Sequence, residues 1–185
     1  LRIGDGITVK KTEAAKYYKK SAEKGNECGM FNYALMMQKG DGIPVNITNA
    51  LYYYKILADK GNDKAMFRYA YNICHNEFIE INKSEAAKYY KMAADKGNRS
   101  AMLNYANMLI DGNGIPINKS EAAIYYKMAA DNGHIKSMLY YANMLHNGDG
   151  IPVNETEAYK YCKMAVDNGN TEAIPLYENL MHIDT

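Results

Sequence analysis

Tryptophan is absent from the 185 residues, proline occurs four times and cysteine three times. Cys28, Cys74 and Cys162 are too few and too scattered for a disulfide framework or a zinc knuckle, so they read as reduced thiols. Charge of one sign is also lacking: 22 Lys+Arg face 21 Asp+Glu, a formal net charge of +1. A nucleic-acid or membrane-surface protein needs a concentrated basic field, which this balance does not supply. No apolar run approaches the roughly 20 residues of a membrane span, and no signal-peptide pattern opens the chain. The chain opens on Leu1 rather than Met and is therefore expected to be excised from something longer. What is present is a 48% hydrophobic composition, enough for a continuous core, with 18 Tyr and 12 Met.

The tyrosines reveal a period. Tyr17-Tyr18, Tyr53-Tyr54, Tyr89-Tyr90, Tyr125-Tyr126 and Tyr161-Cys162 recur every 36 residues. Gly25, Gly61, Gly97, Gly133 and Gly169 keep the same interval, as do Ile7, Ile43, Ile79, Ile115 and Ile151. One structural unit is copied without insertion, the signature of a repeat architecture.

Each copy holds two helical patterns. In 84–94, Ser84 is read as the N-cap, Glu85 favours the positive end of the helix dipole, and Ala86/Tyr89/Ala93 and Ala87/Tyr90/Ala94 form two adjacent apolar rows. Gly97 stops this helix, and Asn98 caps the next, whose pattern runs from Ala101 to Leu109. The link Asp111-Gly112-Asn113-Gly114-Ile115-Pro116-Ile117-Asn118 cannot continue a helix, and Ile115 and Ile117 are expected to tuck back as anchors. A 36-residue helix pair cannot bury its apolar faces alone, so copies must stack. The predicted fold is all-α, a right-handed α–α superhelix (solenoid) of helix-turn-helix repeats. Ten helices are expected at about 12–24, 27–39, 48–60, 63–75, 84–96, 99–111, 120–132, 135–147, 156–168 and 171–181, as one solenoid fragment over 1–185. Alanines allow close helix crossing, while Tyr and Met fill gaps between layers.

Chemistry-bearing motifs are scarce. Asp111-Gly112-Asn113-Gly114 begins like a calcium loop, but Ile115 occupies a ligand position and no Glu stands twelfth. The glycines there also fail the dinucleotide fingerprint. His75, His134, His146 and His182 lack ligand spacing and read as surface or cap histidines, and no Ser or Cys lies in a nucleophile motif. No catalytic residue, cofactor or metal is therefore expected. Five sequons, at Asn46, Asn82, Asn98, Asn118 and Asn154, are read as by-products of capping, four of them because the repeat copies a loop Asn and a Ser/Thr cap.

The run Ala-Met-Leu-Asn-Tyr-Ala-Asn-Met-Leu-Ile-Asp-Gly-Asn-Gly-Ile-Pro (101–116), followed by Glu-Ala-Ala-Ile-Tyr-Tyr-Lys-Met-Ala-Ala-Asp-Asn-Gly (121–133), resembles the Sel1-like repeat (SLR) family, relatives of tetratricopeptide repeats. In that family's terms the chain starts on a B helix (about 12–24), continues in A/B pairs and ends on an A helix (about 171–181). Gly4-Asp5-Gly6-Ile7 matches the inter-helix loop, so a further A helix is expected before it. Ala34, Ala70, Ala106 and Ala142 replace the family's close-contact glycine. Glu178 and Pro175 mark the last copy as degenerate, with a kink expected. The loop Asn76-Glu77-Phe78-Ile79-Glu80-Ile81 lacks Gly and Pro and should take a different path. The two-cysteine repeats of the secreted branch are absent.

The resemblance implies a concave face lined by A helices. It places Phe31, Phe67, Leu103 and Leu139 in one row, Leu35, Tyr71, Asn107 and Asn143 in a second, and Gln38, Cys74, Ile110 and His146 in a third. The first two rows are the candidate partner-binding residues, with Tyr71, Asn107 and Asn143 favoured because buried amides without partners are costly. Lys39, Lys64 and Lys136 at A-helix ends would favour an acidic partner. The function expected is a noncatalytic adaptor that docks a peptide or partner protein in a preorganised groove. The alternatives are a regulatory array fused to a catalytic domain such as a kinase and, as the family's rarer proposals imply, a cell-wall or β-lactam hydrolase. Self-association through exposed stack ends is a further expectation. A cytoplasmic site is favoured, with the endoplasmic-reticulum lumen, where related adaptors work, as the alternative.

Overall fold

The structure, a computed structural model, describes residues 11–77 and 80–181. Among these residues every regular element is helical. In chain order they are α1 (Lys11–Glu23), α2 (Glu27–Lys39), α3 (Ile47–Asp59), α4 (Asp63–His75), α5 (Lys83–Asp95), α6 (Arg99–Asp111), α7 (Lys119–Asp131), α8 (Ile135–Asn147) and α9 (Glu155–Asp167). A single 3₁₀ turn, Thr171–Ala173, then leads into α10 (Ile174–Met181). The chain forms two compact units, Leu1–Ile81 with α1–α4 and Asn82–Thr185 with α5–α10, and within each unit every helix packs on the next in sequence.

Local chemistry dictates these boundaries. The longer loops hand over to α3, α5, α7 and α9 through Asn46, Asn82, Asn118 and Asn154, whose side chains accept the backbone N–H three residues on at 2.9–3.1 Å. The expected cap at Ser84 is corrected: the Asn two residues earlier caps, so the helix starts one residue sooner. The freed hydroxyl does other work. Ser120 Oγ donates to the Gly150 carbonyl at 2.6 Å, and Thr12 Oγ1 to the Gly42 carbonyl at 3.0 Å, clasping each B helix to the loop of the next pair. Lys119 with Asp149 and Lys11 with Asp41, each at 2.6 Å, flank the clasp.

That loop reaches the helix start only because of a glycine. Gly114 has φ +82°, and a Cβ there would lie 2.6 Å from the Lys83 carbonyl carbon. Both the left-handed backbone and the close approach exclude a side chain. Ahead of it, Gly112 closes α6 in the left-handed conformation with its N–H on Met108 O. Ile115 is half-buried as expected of an anchor. Ile117 is exposed and leans over Gly112 instead. In the loop after α4 no such glycine exists, and Asn76 ends the helix in extended conformation at φ −90°, the different path expected. Phe78 and Ile79 lie outside the described residues, as do Gly4-Asp5-Gly6-Ile7 and His182.

Asn26, Asn62, Asn98 and Asn170 cap the A helices and the 3₁₀ turn. At α8 the position is His134, whose Nδ1 faces Ser137 N at 3.3 Å and Ser137 Oγ at 3.0 Å. At the last A helix Pro175 cannot donate to Thr171, so the segment expected to be helical from 171 opens as a 3₁₀ turn, with Ile174 N–H on Thr171 O. Ala34, Ala70, Ala106 and Ala142 are fully buried at the crossings.

The tyrosines do more than fill gaps. In the second unit Lys91 Nζ donates to Tyr125 OH at 2.6 Å, which donates to Asp95 at 2.7 Å. One repeat on, Lys127 reaches Tyr161 OH at 2.7 Å, and Tyr161 reaches Asp131 at 2.6 Å. Both rings stand edge-on to the preceding A helix's tyrosine, Tyr105 or Tyr141, at 4.9 and 4.8 Å. The phenol contact is the main reason that both lysines are held above their ordinary pKa. Lys127 also pairs with Glu157 at 3.0 Å.

Two predictions follow from this chemistry. Gly114→Ala should destabilise the chain by about 1–3 kcal/mol in urea unfolding, whereas Gly97→Ala, where a Cβ meets nothing within 4 Å, should cost less. For His134, burial first, then the charges of Arg99 and Lys136, hold the pKa below 6.5. The unfolded chain therefore takes the proton first, so the cap's stability is full above the ordinary histidine range and is lost as pH falls through the folded value. The thermal midpoint should drop between about pH 7 and 5, and His134→Asn should flatten that slope.

Candidate partner-binding faces

In the first unit, Phe31 and Leu35 on α2 and Phe67 on α4 are half-buried, and Tyr71 is 45% exposed. Phe31 stands edge-on to Tyr54 of α3 at 5.7 Å. Along α4, Phe67 and Tyr71 lie 6.1 Å apart and Tyr71 and His75 4.9 Å apart, an aromatic stripe at four-residue spacing.

Beneath that stripe runs a polar bridge that the sequence reading missed. Gln38 Nε2 donates to Asn72 Oδ1 at 3.1 Å, while Gln38 Oε1 accepts from Tyr54 OH at 3.0 Å. Asn72, 3% exposed, donates in turn to the Arg68 carbonyl at 2.8 Å. Burial pushes the Tyr54 hydroxyl up to about 12 against the opposing pull of Arg68, so it stays a donor. The bridge fixes α2 against α4 and thereby spaces the two halves of the aromatic face. No recurring signal marked it, because Gln38 and Asn72 occupy different positions of the repeat.

In the second unit, Leu103 on α6 is half-buried but Leu139 on α8 is buried, which removes Leu139 from the accessible row. Asn107 and Asn143 are half-buried. Tyr126 OH donates to Asn107 Oδ1 at 2.6 Å, and Asn143 Nδ2 donates to the Leu139 carbonyl at 3.0 Å. Each amide thus spends half its capacity on the fold. Asn107 Nδ2 and Asn143 Oδ1 have no protein partner among the described residues, one a donor and the other an acceptor. In the third row Cys74 is buried, Gln38 is consumed by the bridge, Ile110 is half-buried, and His146 Nδ1 lies 2.8 Å from Glu155. Lys39, Lys64 and Lys136 are exposed. Among the described residues no three His, Cys, Asp or Glu come together as metal ligands would, and no helix is long and apolar enough to cross a membrane.

Copied helix pairs, with α1 and α7 each gripped by the loop that follows the next A helix, define an α-solenoid repeat protein. The chain belongs to the Sel1 repeat family, whose model matches residues 1–26, 29–62, 63–98, 99–134 and 135–170. Among solved structures it is similar to a Sel1 repeat protein from Oxalobacter formigenes, with 29% identity and a TM-score of 0.78, over 90% of this chain and 66% of that one. The fold is shared with a protective antigen of uropathogenic Escherichia coli displaying an SLR fold, with 21% identity and a TM-score of 0.91, over 98% of this chain and 39% of that one. It is shared also with an immunity protein from Pseudomonas aeruginosa, at 18% identity and a TM-score of 0.55, over 91% and 62% of the two chains. No curated protein sequence matches the chain.

The bridge is directly testable. Gln38→Leu leaves the buried Asn72 oxygen without its donor and the Tyr54 hydroxyl without its acceptor and should cost about 1–3 kcal/mol in denaturant unfolding, whereas Gln38→Glu keeps the acceptor for Tyr54 but sets a carboxylate oxygen against Asn72 Oδ1 and should also destabilise. Equal stability of wild type and Gln38→Leu would contradict that role.

Proposed function

We propose that this chain is a noncatalytic protein-interaction scaffold, binding a peptide or partner protein on the A-helix faces. The observation that carries the reading is Tyr71, 45% exposed in the middle of the α4 aromatic stripe, on a helix otherwise well buried. A large ring held in place by neighbours loses little freedom on docking, which favours it as an anchor. In the second unit the open amide groups of Asn107 and Asn143 suit the alternating donors and acceptors of a peptide backbone, and the half-buried Leu103 beside them suits an apolar side chain. That only Sel1 repeats match the chain supports an interaction role over an enzymatic one.

Selection of binders from a displayed peptide library, followed by calorimetry, tests the reading. Tyr71→Ala should weaken selected peptides by at least about tenfold with helicity unchanged, and Asn107→Ala with Asn143→Ala should do so for peptides read by the second unit. Peptides whose affinity ignores all three substitutions would displace the assignment to other surfaces.

A further inference from the structure

A cation in the first unit stands without a countercharge. Arg68, in the middle of α4, is half-buried, and among the described residues no carboxylate takes up its guanidinium. Asn72 engages its backbone carbonyl, not its side chain. At the same position of other copies, Asn32 and Asn104 donate to carbonyls of their own helices, Cys28 and Ser100, at 2.8 Å each, and Tyr140 packs on Tyr126. The repeat itself therefore makes no demand for a cation here. The guanidinium is close enough to the Tyr54 hydroxyl for its charge to act on it. That hydroxyl is bonded to Gln38 of α2, which puts the cation at the groove between α2 and α4. Tyr54, Gln38 and Asn72 are committed to one another and are uncharged, so they do not balance it. The acids of α2 and α4 stand only at their first residues: Glu27, paired with Lys60 at 3.6 Å, and Asp63. Lys39 and Lys64 are exposed and share the sign of Arg68. A cation drawn partly out of water with no opposite charge is costly to keep.

We propose that the groove between α2 and α4 takes an extended peptide segment of a partner protein through an acidic side chain, which pairs with Arg68, and an aromatic or apolar side chain, which packs on Tyr71. This rests on the reading that the A-helix faces dock peptides, and it adds the chemistry of the partner. A guanidinium presents parallel N–H groups that match both oxygens of a carboxylate, so a half-buried arginine selects an acidic side chain over an amide of the same shape. Tyr71 follows Arg68 by three residues, one turn of α4 and about 4.5 Å along its axis. In an extended segment the side chains that share a face alternate, about 6.6 Å apart. The pattern that fits is an acid and an aromatic separated by one residue. Lys39 and Lys64, at opposite ends of the groove, give it a field of one sign that draws in an acidic segment without fixing its register.

A peptide array tests this on the whole chain. Its members are nine-residue peptides with blocked termini, random flanks and a central Glu-x-Phe or Phe-x-Glu, each beside its Gln counterpart, and calorimetry on the strongest pairs gives the affinities. Wild type should prefer Glu over Gln by at least about tenfold, and the preference should shrink in high salt. Arg68→Gln, with helicity checked by circular dichroism, should bring that ratio to about one. Arg68→Lys keeps the charge but not the fork and should retain part of it. Tyr71→Ala should weaken both members of a pair alike. Tyr71-dependent peptides bound with no preference for Glu overturn this inference and leave the docking reading standing. A preference that survives Arg68→Gln overturns it too, by assigning the acid to the exposed lysines, and so does an array that wild type ignores entirely. The docking reading itself falls on a different result, binders from an unrestricted library that are indifferent to Tyr71, Asn107 and Asn143.

Discussion

A helix pair of this length encloses too little apolar surface to stand alone, and the stack depends on how one pair is pinned to the next. The pin is the start of the B helix. A hydroxyl or lysine in its first turn reaches across to the following loop, and a glycine in that loop, Gly114 in one instance, lets the backbone arrive. On the same helix, a lysine and an aspartate four residues apart receive a tyrosine from the next repeat. These contacts are short, charge-assisted and local to each junction, as suits a fold whose stability is a sum over neighbours.

The constraint explains why several residue types recur with the period. Asn at the start of α3, α5, α7 and α9 must accept a backbone N–H, so its shape and polarity are fixed. The hydroxyl near the start of the B helix is tied to the next loop at Thr12 and Ser120, not to capping. The sequons are thus fully accounted for by the fold at Asn118-Lys119-Ser120, where both the amide and the hydroxyl are engaged. His134 shows that the cap position admits another acceptor, at the cost of making the junction sensitive to protons.

Much of this was legible in the sequence. The 36-residue recurrence of Tyr-Tyr, Gly and Ile specified helix pairs, and the A-helix limits follow from Gly-Asn turns that end one helix and cap the next. What remained hidden depends on partners distant in sequence. Ser84 looks like a cap by composition, yet Asn82, two residues ahead of it, stands outside the helix with its amide oxygen accepting the Glu85 N–H. The pairing of Lys91 with Tyr125 spans 34 residues, beyond any local pattern, although the recurrence of both residues was in view. The Gln38–Asn72 bridge had no periodic signal at all. For the candidate face, helical spacing correctly grouped Phe67 with Tyr71, but it carried no information on depth, so Leu139 was grouped with residues that reach the surface.

Comparison among the copies separates the two kinds of demand without reference to any other protein. Positions that the stack requires hardly vary: the crossing residue is alanine at 34, 70, 106 and 142, and the clamp lysine recurs at 91 and 127. Along the A-helix face the same comparison gives Leu35, Tyr71, Asn107 and Asn143, then Gln38, Cys74, Ile110 and His146. Apolar, aromatic, amide and imidazole groups succeed each other on a backbone that is otherwise copied. A packing role would favour one volume and polarity at equivalent sites, as it does for the alanines. The exposed B-helix positions Tyr52, Lys88, Ile124 and Lys160 diverge as freely, so variation among the copies marks the positions that the stack leaves unconstrained. The polar bridge under the first unit's face shows how the frame supports this, since it spaces α2 from α4 with hydrogen bonds and leaves the overlying aromatic rings to the surface.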